Sequence, residues 1–149
     1  MNPATLPASV VLHFELGGET LGLDVAAVAE VTAAIPLARL CGAPAAVAGL
    51  AALRARPLTV IDVAALHGLP AAPSDSRTNF LVLAEPWSNL ALSVAAAIEM
   101  SAVSPDPKPC PHGHAQLLDG RQVRLLDAAT VVASLERALG VELALELPP

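Results

Sequence analysis

The chain has 149 residues and a net charge of −6, from 14 acidic against 8 basic residues. That length fits one domain or two small halves, and 54% hydrophobic against 15% charged residues excludes a disordered tail. The basic residues are scattered, Tyr is absent, and Phe14, Phe80 and Trp87 are the aromatic residues, which argues against nucleic acid as a partner.

The longest uncharged stretch, residues 40–53, contains Gly42, Pro44 and Gly49. It is too short and too broken to supply the roughly 20 apolar residues of a membrane span. Residues 1–9 form a short Pro/Ala/Ser arm without a basic leader. The expectation is a cytoplasmic protein with no signal peptide and no membrane insertion. Cys41 and Cys110 are too few for a disulfide framework and read as a reduced pair.

Val10–Leu16 alternates, with Leu12, Phe14 and Leu16 on one face and Val11, His13 and Glu15 on the other, which is strand periodicity. Gly17-Gly18 supplies a hairpin turn, and residues 20–24 return as a second strand. Apolar residues at 25, 28 and 31 predict a short helix over 25–31, with Asp24 as its N-cap. Residues 36–40, 47–53 and 58–63 predict three strands, followed by one helical turn at 64–67. Residues 70–76 read as a loop. Residues 79–84 and 90–94 repeat the hairpin theme, with Trp87 at its tip either as an exposed anchor or folded back. Residues 104–113 are proline-rich and irregular. A last strand at 122–127 precedes a helix over 128–139, ended by Gly140, and a tail at 141–149.

The chain repeats itself. Leu21-Gly-Leu-Asp-Val-Ala-Ala-Val-Ala-Glu-Val31 and Leu90-Ala-Leu-Ser-Val-Ala-Ala-Ala-Ile-Glu-Met100 agree at six of eleven positions, Glu30 and Glu99 among them. Gly49-x-Ala51-x-Leu53 leads to Asp62 as Gly113-x-Ala115-x-Leu117 leads to Asp127. Two small all-β halves of about five strands each follow, sharing a buried seam because neither is large enough alone. The expected subdivision of the 10–140 domain is approximately 20–85, and 86–128 plus the N-terminal strand.

Residues that carry chemistry are sparse. No phosphate loop, HExxH, GxSxG or Cys-x-x-Cys occurs. Cys110-Pro-His112-Gly-His114 is ligand-like but matches no zinc module, and the expectation is no metal and no cofactor. Asp62 and Asp127 end equivalent strands and are expected to cap the turns that follow rather than act as an acid/base pair. Glu30 is either solvated or paired with Arg54, a residue without a basic counterpart in the second half. Arg54 itself is a strand-end surface residue or an interaction anchor.

Gly49-Leu-Ala-Ala-Leu-Arg54-Ala-Arg-Pro-Leu-Thr-Val-Ile-Asp62-Val resembles the G-V-x-N-L-R-G signature, with its following strand, of the CheW family of chemotaxis coupling proteins. Phe14-Glu-Leu-Gly-Gly-Glu-Thr-Leu-Gly22-Leu-Asp24, running on to Val28-Ala-Glu30-Val31, resembles the family's opening hairpin. Gly113 through Asp127 resembles its second-half pattern. The likeness spans roughly residues 9–135. It implies an all-β fold of two five-stranded SH3-like β-barrels packed side by side, with short helices and a C-terminal helix. It implies a non-enzymatic adaptor between a methyl-accepting chemoreceptor tip and the regulatory domain of a CheA-type histidine kinase. The partner-binding positions implied are Val28, Glu30, Gly49 and Arg54, the receptor docking on Val28 and the close-approach backbone of Gly49. The family's Asn is Ala52 here and its Gly is Ala55, and Ala at that turn is strained wherever φ is positive. The alternatives are a CheW-like scaffold of a pilus-motility or other pathway with a non-receptor partner, and a small metal- or ligand-binding two-barrel protein.

Overall fold

A computed structural model describes residues 10–70, 77–104 and 113–139. The N-terminal arm, most of the loop at 70–76, most of 104–113, Gly140 and the tail lie outside the described residues.

Among the described residues, ten strands form two five-stranded sheets. β1 (Val10–Leu16) and β2 (Glu19–Asp24) make the opening hairpin, with Gly17 and Gly18 at positive φ between them. The second sheet holds β3 (Val28–Ala33), β4 (Val47–Leu53), β5 (Arg56–Asp62), β6 (Asn79–Leu83) and β7 (Leu90–Val94). β8 (Glu99–Ala102), β9 (His114–Gln116) and β10 (Gln122–Leu125) return to the first sheet. One helical turn, α1 (Val63–Leu66), follows β5, and the helix α2 (Ala128–Leu139) follows β10.

The strand orders are β8-β1-β2-β10-β9 and β3-β6-β7-β5-β4. They correspond element for element, each with one parallel pairing, β10 on β2 and β5 on β7. The repeat is therefore structural, and the halves exchange strands. The chain leaves the first sheet after β2 to form β3, and leaves the second after β7 to form β8. The division at 20–85 and 86–128 differs from this: β2 belongs to the first sheet and β7 to the second, because each is held by its own hairpin partner.

The largest apolar cluster lies between the sheets. Leu12, Phe14, Leu21 and Leu23 of the first meet Ile61, Leu81, Leu83 and Leu92 of the second, and α2 adds Val131, Val132 and Leu135. Smaller clusters fill each sheet's other face: Phe80, Leu58, Val60 and Val82 in the second, Val11, Leu117 and Val123 in the first. His13 lies buried on that face of the first sheet and shares a 2.8 Å hydrogen bond with Ser101. Trp87 packs back against the shared core.

Two expectations fail locally. Residues 25–31 are not a helix. Asp24 caps only a 3-10 turn, Val25–Ala27, accepting from the Ala26 amide at 2.8 Å, and β3 then begins. The spacing 25, 28, 31 fits a helical face, but Val31 is 42% exposed and covers no core. The β-branched residues pair instead with β6. Residues 36–40 form no strand, only the single bridge Ala38–Leu50. Asp62 caps α1 as expected, accepting from the Ala65 amide at 3.1 Å, and Asp127 accepts from the Thr130 hydroxyl at 3.2 Å.

Candidate functional site

The β4–β5 hairpin pairs Leu53 with Arg56, which leaves Arg54 and Ala55 as a two-residue turn. The type I′ form of such a turn matches the twist of its strands and needs positive φ at both positions, for which Asn-Gly is the usual solution. Here φ is +48° at Arg54 and +65° at Ala55. Both residues carry a Cβ, so the turn is held under strain. Arg56, just beyond it, donates to the Ser88 carbonyl at 3.0 Å and ties the hairpin to the β6–β7 turn.

The strained turn directs Arg54 onto Glu30 of β3, and the two form a hydrogen-bonded ion pair. β3 and β4 are the outermost strands of their sheet, so this pair joins its two ends. The Arg54 side chain is 66% exposed and that of Glu30 34%. An ion pair so open contributes only about 0–1 kcal/mol to folding. What it does is hold a planar five-donor guanidinium in one orientation at the surface.

The other two expected positions differ. Gly49 is buried, at φ +151°, and a Cβ built on it would lie 2.7 Å from the Ala38 carbonyl oxygen. Its close approach is to its own chain, where it lets residues 36–40 lie against β4. Val28 is half-buried and packs against the shared core. The surface part of the set is thus Glu30 and Arg54. The same two outer strands carry exposed apolar residues that sequence reasoning missed, Val31 on β3 and Leu50 on β4. Val31 follows Glu30 directly, so strand alternation turns it to the opposite face of β3. An apolar hollow of about 530 Å³ adjoins the turn, lined by Pro36, Leu37, Leu50, Ala52, Ala55 and Pro57.

The repeat supplies a comparison within the molecule. Glu99 and Leu118 hold the places of Glu30 and Arg54 in the first sheet, with Leu118 66% exposed. Glu99 is not without a cation, however. Arg121 reaches it at 3.5 Å from the turn after β9. The halves therefore keep the acidic residue and differ in where its partner comes from.

Among the described residues no group of three or more His, Cys, Asp or Glu side chains could hold a metal ion. Cys110 and His112 of the ligand-like run lie outside the described residues. No helix among the described residues is long and apolar enough to cross a membrane.

The CheW-like domain family model matches residues 10–136. Among solved structures, the scaffolding protein TtCheW from Thermoanaerobacter tengcongensis aligns with a TM-score of 0.71 at 19% identity, over 89% of this chain and 92% of that one. At that identity the likeness speaks for the fold. No curated protein matches the chain in sequence.

Proposed function

The chain belongs to the CheW-like domain family, and we propose that it is a non-enzymatic adaptor coupling a chemoreceptor tip to a CheA-type histidine kinase in the cytoplasm. The observation that carries this reading is the Arg54–Glu30 pair, an oriented guanidinium displayed on a strained turn where it adds little to folding. A receptor tip is a helical hairpin. Its apolar ridge would dock against half-buried Val28, two residues before Glu30 on β3, and a carboxylate or free carbonyl of the helix would take the outer donors of Arg54. The kinase's regulatory domain is the second partner in this reading.

The test is calorimetric titration of the protein with a receptor tip hairpin, alongside thermal melts. Arg54→Ala should weaken association by about 1–3 kcal/mol, as expected for an interface Arg anchor. Its melting should barely change, since exposed substitutions usually stay within about 0.5 kcal/mol. Full affinity in the variant would remove this face from the reading. Loss of folding would make Arg54 a structural residue.

A further inference from the structure

Residues 36–40 are an open edge of the second sheet. The Ala38 amide donates to the Leu50 carbonyl at 2.7 Å, and the Leu50 amide donates back to Ala38 at 2.9 Å. In such a hydrogen-bonded antiparallel pair, the residues on either side turn their N–H and C=O groups to the opposite edge. Leu37 and Arg39 therefore direct two amides and two carbonyls away from β4. None of the four has a backbone partner among the described residues.

The surroundings state what such an edge would select. Leu37 walls the apolar hollow described above, and with Leu40, Pro44 and Val47 it also lines a second hollow of about 360 Å³. Arg39 lines that second hollow, is exposed, and makes no ion pair among the described residues. Asp62 also lines the second, more polar hollow, where its carboxylate caps α1. In a chain of net charge −6, the exposed Arg39 guanidinium, without an ion pair among the described residues, is the cation this edge offers beside the apolar hollow. It favours an apolar segment that carries carboxylates.

We infer that residues 36–40 are a strand-addition site for an extended segment of a partner protein in which apolar side chains alternate with acidic ones. The incoming strand exchanges up to four hydrogen bonds with Leu37 and Arg39; the apolar side chains on one of its faces enter the hollow beside Ala38 and Leu50, and the carboxylates on its other face meet the Arg39 guanidinium. The site borders the Arg54 turn through Ala55 but uses neither the Arg54 nor the Glu30 side chain. The edge is short and opens at Pro36, which has no N–H, and both features limit indiscriminate pairing.

The experiment is NMR-detected titration and amide hydrogen exchange on the whole protein. The probe is an acetylated, amidated peptide alternating Val and Glu over seven residues. Saturable binding with at least tenfold slower exchange at the Leu37 and Arg39 amides is the expected result. Arg39→Glu, at an exposed position, should keep its melting temperature and bind the peptide at least tenfold more weakly. A peptide with Lys in place of Glu should fail to bind the native protein. A peptide N-methylated on its pairing edge should also fail. Arg54→Ala should bind the acidic peptide normally, so the two sites stand or fall apart. Unchanged exchange at Leu37 and Arg39 under saturating peptide would overturn the inference. So would equal binding of the N-methylated peptide.

Discussion

Replacing Ala55 by Gly should make the protein more stable, although it deletes a methyl group and adds no contact. Ala55 sits at φ +65° in a two-residue turn. A side chain held in the left-handed region costs about 1–2 kcal/mol. Glycine removes that cost but loses about 0.5–1 kcal/mol more backbone entropy on folding. The net expectation is about 0.5–1 kcal/mol of stabilisation, or about 1–4 °C in melting temperature for a chain near this size. The β1–β2 hairpin contains the reverse experiment. Gly18 holds the matching second turn position at φ +82°, and a Cβ built there meets nothing within 4 Å. Gly18→Ala should therefore destabilise by a similar amount through conformation alone. Urea denaturation of both variants and the parent measures the two changes on one scale. The reasoning is refuted if Ala55→Gly is neutral or less stable while Gly18→Ala costs nothing.

Gly49→Ala combines left-handed strain with a Cβ 2.7 Å from a backbone oxygen that cannot easily move, so we expect a loss of about 2–4 kcal/mol in urea unfolding. An unchanged midpoint would show that residues 36–40 yield freely. Burial pushes the His67 imidazole below its ordinary pKa, Arg124 adds to the shift, and Glu19 opposes it. Between that lowered value and about 6.5 the unfolded chain binds more protons, so stability falls as pH drops through this window. His67→Gln should flatten that part of the pH profile, and an unaltered slope would assign it to other groups. Chelation should leave the melting temperature where it is; a large drop would place a structural metal at the Cys110, His112 and His114 run.

Much of the architecture was legible because it is written in local patterns. Alternation over Val10–Leu16, the Gly17-Gly18 pair and the helical run 128–139 each determine an element without help from distant residues. The repeat went further. It implied two like halves, and the element-for-element match of the two sheets is its physical form. Strain at Ala55 was legible only as a condition on φ; the strands read at 47–53 and 58–63 left four residues between them, and the two-residue turn that makes φ positive came from the structure.

What only the tertiary structure decided is how the halves share their strands and what each candidate residue faces. Apolar spacing of three with alanines between suits a helix and does not exclude a strand. The ladder with β6, supplied by residues about 50 positions away, settled β3 against the local pattern. The same crossover puts Glu30 on one outer strand and Arg54 beyond the other, so their ion pair depends on the sheet bringing those strands within side-chain reach. Gly49 reads from sequence as a place where something comes close. That the something is the Ala38 carbonyl follows only from residues 36–40 folding back on β4, a non-local contact that no spacing along the chain encodes.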